Sequence, residues 1–301
     1  MTLPATSAIT VQVFTLTHLC GVTPRLFEAL LRRFRTLEAV FTSDRAAFLE
    51  VEGVKTQQAA TLERAPKRLA EAEAMVKALA RRDIQLLTRF DQDYSPLMIE
   101  LHDPPPLLYF RGHTPDLNKR TVSVAGTHSA GAEGIELTSR LVKELVKRAV
   151  QIVSTLQGGI DAAAHLAAVT AGGSSFAVMD RGIDQLDTVE GVPVAIDVIE
   201  RGGVISEYFP DVRPDPRTMA ETNRLAAGLA QAVVVTEFYS HSERTLDLLH
   251  ACRDIGKLVF IVIDPTYGTL SDEKALAQAH ECGAIPMDGF ERIDDIVKAL
   301  V

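Results

Sequence analysis

A chain of 301 residues has room for two domains, and 47% apolar against 24% charged residues describes a globular protein with a sizeable core, which sets aside the disordered and fibrous classes. Three scattered cysteines with no CxxC pair argue against a disulfide framework or a zinc site, no apolar run approaches the roughly 18 residues of a membrane span, and the Met1–Ser7 start has no basic, apolar leader, so a cytoplasmic protein away from membranes is expected. The net charge of −9 is uneven: residues 1–100 carry 13 basic and 12 acidic side chains, leaving 18 against 28 for the remainder, an acidic surface on which nucleic acid would need a local basic groove.

Residues 1–84 read as a small helical domain. Thr23-Pro24 has the form of an N-cap followed by proline at the first helical position, and Leu26, Phe27, Leu30, Leu31 and Phe34 recur on one face. Another helix is predicted to start near Ser43-Asp44. Phe48–Lys55, turning at Gly53, followed by Gln57–Leu62, has the shape of a helix-hairpin-helix. Such a hairpin either holds DNA phosphate on its backbone amides or packs as an ordinary helical hairpin. A long helix is predicted over 65–82 and a short strand over Gln85–Thr88. The proline-punctuated stretch 85–112, with Pro96 and Pro104–Pro106, is expected to be an extended connector.

Residues 113–301 carry apolar runs at helix-sized intervals: Val122–Ala125, Ile152–Ser154, Ser175–Met179, Val204–Ser206, Ala232–Thr236 and Leu258–Ile263. Continuous hydrophobicity, rather than alternation, is what strands covered on both faces require, so the fold class is α/β, a doubly wound, mostly parallel sheet. Ligands of such sheets sit beyond the C-terminal strand ends, near the point where strand order reverses. Gly126, Thr127 and His128 follow the first run, and Gly158, Gly159 and Asp161 follow the second. Ser206 and Glu207 follow the fourth, and Glu237 the fifth. Small residues at these turns let backbone amides and helix N-termini approach an anion, which points to phosphate or nucleotide. There is no GxGxxG, GxxxxGK[ST] or GxSxG pattern, so neither nucleotide-triphosphate hydrolysis nor covalent hydrolase chemistry is expected, and no cofactor or metal.

Four further features admit two readings each. Asp161 and His165, four apart, are a base with its orienting partner or a helix-start carboxylate with a packed histidine. Glu207 and Glu237 converge for hydrolysis or anchor loops. Asn223-Arg224, read as opening the helix that continues through Leu229, places Arg224 against the helix dipole, to serve a ligand phosphate or an internal salt bridge. Tyr208, Phe209 and Phe238 offer stacking faces to unpaired bases or pack in the core and rim.

Several motifs in order resemble the DNA-processing protein A family, also called Smf. They are Asp91–Leu97 with Asp103-Pro104-Pro105 and Leu108–Gly112, Gly158-Gly159-Ile160-Asp161 through His165, Ile205-Ser206-Glu207-Tyr208, and Asn223-Arg224-Leu225 through Leu229. The resemblance runs from about Gly21 to Asp288. It implies a helical domain of helix-hairpin-helix or SAM-like type ahead of a Rossmann-like domain, single-stranded DNA binding that assists RecA loading in natural transformation and recombination, no catalysis, and homodimerisation through the Rossmann-like domain. The chain departs from the family pattern where His128 and Gly158 stand in place of arginines, around Leu186-Asp187 where a Tyr-Pro pair is usual, and at Ser242-Glu243-Arg244-Thr245-Leu246, where the usual pattern is Ser-Gly-Ser/Thr-Leu. Lost cations and the added Glu243 predict weaker phosphate contacts. The end at Val301 is expected to leave no room for the C-terminal winged-helix domain of some members.

The leading expectation is a single-stranded DNA binder holding phosphate at Gly126, Thr127, His128, Gly158, Gly159, Asp161, Ser206, Asn223 and Arg224. The alternatives are a small-nucleotide-binding or nucleotide-cleaving Rossmann protein similar to the lysine-decarboxylase-like group, favoured by retained glycines, Glu207 and Glu237, and a scaffold with partner contacts only.

Overall fold

The computed structural model describes residues 7–188, 192–289 and 293–300; residues 1–6, whose sequence carried the expectation of no leader, lie outside them. The chain divides into two compact units, 1–94 with 102–109, and 95–101 with 110–301.

In the first unit, α1 (Ala8–Phe14) is capped by Ser7, whose side chain accepts from the Thr10 amide, and runs on into a π-helical turn, Thr15–Leu19. The sequence pattern gave no warning of this helix. Its buried residues, Val11, Val13, Phe14, Thr15 and Leu16, are nearly consecutive across the α and π segments, so they leave no 3.6 period to read. The predicted cap is present: Thr23 accepts from Leu26 N, Pro24 opens α2 (Pro24–Phe34), and Phe27 and Leu30 are buried. Two short helices follow, α3 (Leu37–Thr42) and α4 (Arg45–Leu49), the latter capped by Asp44. The turn at Gly53, where φ is +85°, leads to α5 (Thr56–Glu63) and completes the hairpin. The single helix predicted over 65–82 is broken into a 3₁₀ turn at Ala65–Arg68 and α6 (Leu69–Ala80), since Pro66 supplies no amide to a helix running in from the preceding turn. Strand β1 (Gln85–Thr88) lies where expected.

The segment expected to be an extended connector contains β1, a helical turn α7 (Pro96–Ile99) and β2 (Leu107–Gly112), and is shared between the two units.

The second unit is the predicted α/β sheet. Its elements run β3 (Thr121–Ala125), α8 (Ala132–Lys147), β4 (Gln151–Thr155), α9 (Ile160–Thr170), β5 (Ser175–Met179), a 3₁₀ turn at Ile183–Thr188, α10 (Val192–Arg201), β6 (Gly203–Ser206), α11 (Pro216–Gly228), β7 (Ala232–Val235), β8 (Glu237–Phe238), α12 (Glu243–Asp254), β9 (Leu258–Asp264), β10 (Gly268–Ser271), α13 (Glu273–Glu281), β11 (Ile285–Asp288) and α14 (Ile293–Ala299). Strand order is β6-β5-β4-β3-β7-β9, with β11 also on β9, and every one of these pairings is parallel; β10 pairs antiparallel with β9.

Alternate residues of one strand enter different cores. Val122, Val124, Ala232 and Val234 pack with Leu137, Leu141 and Leu145 of α8, Ala164 and Ala168 of α9, and Ile296 of α14. Val233, Val235, Val259 and Ile261 pack on the opposite face with Leu248, Leu249 and Cys252 of α12 and Ala275 and Ala279 of α13. Helices on both faces explain why the strands read as unbroken apolar runs. Among the described residues, no helix is long and apolar enough to cross a membrane.

Candidate functional site

Strand order reverses at β3: the chain moves outward through β4, β5 and β6, then returns to place β7 on the other side of β3. A cleft of about 320 Å³ opens there, at the C-terminal strand ends, as the topology predicts. Its walls are Ser123 to Ser129, Thr155, Gln157, Gly158 and Asp161, with Asn223 and Ala226 of α11 and His241 to Thr245 at the start of α12.

Close backbone approach builds this corner. A Cβ at Gly126 would lie 2.6 Å from both the Glu237 carbonyl oxygen and Ile160 Cγ1. Gly159 has φ +63°, and a Cβ there would run into the carbonyl oxygens of Thr127 and His128. The Ile160 amide donates to Thr127 O (3.1 Å) and the Thr127 amide to Glu237 O (2.7 Å), so the turns after β3, β4 and β7 are laced together. These two glycines therefore serve loop packing as well as any ligand.

Asp161 stands in the first turn of α9 and on the cleft wall, yet is only 8% exposed. Burial raises its pKa from 3.8 to about 7, against the opposing pull of the hydrogen bond from the Thr155 hydroxyl, the charge of Arg244 and a hydrogen bond with Ser154. His165 does not partner it. His165 Nε2 lies 3.0 Å from the Thr155 carbonyl, so that nitrogen carries the proton and donates, leaving Nδ1 to accept from Ser175 Oγ at 2.8 Å. Burial pulls its pKa down to about 4, which keeps it neutral. The packing reading of the Asp161 and His165 pair is the one the geometry supports.

The two glutamates are likewise occupied. Glu237 accepts from the Gly131 amide at the start of α8 (3.1 and 3.2 Å) and from the Tyr239 hydroxyl (2.9 Å), and its carboxylate fills the space a Cβ at Gly134 would need. Glu207 is bound through both oxygens to Arg224 Nη2, at 2.8 and 2.9 Å. Each anchors its own neighbourhood, and the hydrolytic pairing expectation loses its basis.

The helix containing Asn223 and Arg224 begins at Pro216, capped by Asp215, not at Asn223. Both residues lie inside α11, and the helix-start argument for Arg224 falls with the boundary. Thr222, Asn223, Leu225 and Ala226 are all buried, so local hydrophobicity marked an interior turn that resembled a beginning. Asn223 lines the cleft and donates from Nδ2 to Arg244 O (3.0 Å); Arg224 makes the internal salt bridge with Glu207. Ser206 is committed too, donating to Arg181 O (2.7 Å) and accepting from Tyr208 N (2.9 Å). Phe238 is wholly buried and offers no stacking face, while Tyr208 is half-buried, donates its hydroxyl to Glu221 and is not among the lining residues of the cleft.

Of the predicted site residues, the structure brings Gly126, Thr127, His128, Gly158, Asp161 and Asn223 to the cleft; Gly159 supports it from behind the 127–128 turn, and Ser206 and Arg224 are not among its lining residues. The residue not anticipated in that list is Arg244. It is the second residue of α12, with Nη2 3.7 Å from Asp180 Oδ2 and its side chain 34% exposed. Burial lowers its pKa from the usual arginine value, opposed by Asp180 and Asp161. Asp180 also accepts from Arg181 Nε (2.8 Å) and Gln157 Nε2 (3.4 Å). The departure at Ser242–Leu246 was the available signal: where small residues are usual, this segment carries an arginine.

A protein-family model described as DNA recombination-mediator protein A matches residues 85–300. Protein Smf of Synechocystis sp. is 27% identical over 277 residues, covering 91% of this chain and 67% of that protein. The chain spans between about half and two thirds of the length of the curated relatives it matches first. The fold is similar to the X-ray structure of DNA processing protein A from Streptococcus pneumoniae, with TM-score 0.67 and 21% identity over 96% of this chain and 98% of that one. It is also similar to DNA processing protein A from Helicobacter pylori, a structure described for its single-stranded DNA binding mode, with TM-score 0.61 and 21% identity over 71% of this chain and 96% of that one.

Proposed function

The chain belongs to the DNA recombination-mediator protein A family, whose model covers residues 85–300, and on that premise we propose that it binds single-stranded DNA, seating a backbone phosphate in the cleft between the β3, β4 and α12 ends. The observation that carries this reading is Arg244. It brings a guanidinium to a glycine-walled corner of an acidic protein, where His128 and Gly158 leave the positions of two expected arginines without an arginine. Phosphate contacts of this kind supply sequence-independent affinity through counterion release.

The reading is non-catalytic. Support comes from the partners of His165, Glu207 and Glu237, each of which ties its side chain to neighbouring structure. Family membership supports three finer parts of the same proposal: delivery of the strand to a RecA recombinase, a homodimer, and a cytoplasmic place of work.

The test is fluorescence anisotropy of a labelled oligo-dT across a salt series. Affinity should fall steeply with salt, and Arg244→Ala should weaken it about tenfold and lower the salt slope by about one ion. No binding by the wild type at low salt overturns the proposal. The cleft volume lies near the lower end of small-ligand pockets, so a thermal shift with a mononucleotide and none with oligo-dT would instead assign it to a single nucleotide.

A further inference from the structure

Beside Arg244, the loop 239–242 carries a pair of rings that no element of the core claims. Tyr239 and His241 stack with their planes 6° from parallel and their centroids 5.5 Å apart, an offset arrangement. Tyr239 is half-buried; His241 is exposed and lines the cleft together with Arg244.

The loop is held at several points. Ser242 N donates to Tyr239 O (2.8 Å) and Tyr239 N to Ser242 Oγ (3.1 Å), closing the turn. Ser240 N donates to Asp272 Oδ2 (2.8 Å), which ties the turn to the N-cap of α13. The Tyr239 hydroxyl donates to Glu237 Oε1 (2.9 Å), and Glu237 is itself held by the start of α8. The Tyr239 ring is thus fixed in orientation and backs the imidazole, which in turn presents a flat surface at the cleft mouth, three residues before the cation. A ring fixed at the rim of a phosphate-binding cleft gives a nucleobase a π-face at low ordering cost.

We propose that the Tyr239–His241 stack is a nucleobase platform: a base lies against the His241 imidazole while the adjoining phosphate engages Arg244. This rests on the single-stranded DNA reading and adds to it a base-contacting residue pair and a requirement for bases as well as phosphates. Because every base has a π-face, the platform confers preference for single-stranded chains bearing bases over the bare backbone, and little preference among sequences.

The test compares labelled oligo-dT with an abasic chain of equal length across a salt series. Wild type should favour oligo-dT about tenfold. His241→Ala should lose that preference while keeping the wild-type salt slope, since stacking releases no counterions. His241→Phe should restore it by returning a flat ring without the imidazole nitrogens, and Tyr239→Phe, which frees the ring from Glu237, should fall between. If His241→Ala binds oligo-dT as wild type does, or if it weakens both chains equally with a shallower salt slope, the platform is refuted while single-stranded DNA binding stands. Wild type that binds neither chain at low salt refutes both.

Discussion

Replacing Asp161 with asparagine should stabilise the protein at pH 8 and cost about 1 kcal/mol near pH 4, where the carboxyl is already protonated and only the unmatched amide counts. The carboxyl is 8% exposed, and burial raises its pKa from 3.8 to about 7. Between those pH values the folded state holds a proton that the unfolded state has lost, so stability falls as pH rises, and above pH 7 the full cost of the buried charge is present. At about 1.4 kcal/mol per tenfold, the difference is about 4 kcal/mol. The asparagine amide needs an acceptor of its own, which costs about 1 kcal/mol and leaves a gain of about 3. For a unit of this size that is a rise in Tm of about 6–12 °C at pH 8. His165 has the opposite slope: its pKa falls from 6.5 to about 4, so the unfolded state takes up the proton first and stability rises with pH across that window. The two effects offset each other in the wild type between about pH 4 and 6.5, and Asp161→Asn should expose the His165 slope. Thermal unfolding of wild type and variant from pH 4 to 8 reads both. A variant destabilised equally at pH 5 and pH 8 would refute the reasoning, since it would mean that Thr155 and Arg244 hold Asp161 ionised throughout.

The same titration bears on ligand binding: neutralising Asp161 removes a negative charge that acts on Arg244, so oligo-dT affinity should rise as pH drops through 7, and Asp161→Asn should flatten that dependence. Anisotropy of wild type and variant at pH 6 and pH 8 reads the difference. Arg224→Ala should cost about 3 kcal/mol of stability by removing the guanidinium from which both Glu207 carboxylate oxygens accept, seen as a lower denaturation midpoint, while the remaining folded protein keeps its DNA affinity. Gly159→Ala should destabilise by more than about 2 kcal/mol, because φ +63° is strained for alanine and the new Cβ meets the Thr127 and His128 carbonyls; native-like chemical denaturation would contradict this.

Six of the parallel strands, β11 not among them, the Thr23-Pro24 cap and the small-residue turns after β3 and β4 were legible in local sequence, since burial on both sheet faces writes a continuous apolar run and a cap needs only a side chain and an amide three residues on. Where the local pattern is interrupted, the reading fails for a physical reason: nearly consecutive buried residues leave α1 without a periodic face, Pro66 divides an apparent helix, and the buried Thr222, Asn223, Leu225 and Ala226 disguise the middle of α11 as its beginning. Partner choice is not local at all. Arg224 and Arg244 are both arginines near polar segments, yet one is paired with Glu207 across 17 residues while the other, beside Asp180, lines the cleft, because α11 packs on β4 and β5 and α12 on β9, which carries the two side chains to different surroundings. The Tyr239–His241 stack likewise depends on Glu237, Gly131 and Asp272, which approach it from three separate elements. Apolar periodicity reports whether a residue is buried; which polar groups then meet is settled by strand order and loop packing, whose contacts join residues more than a hundred positions apart.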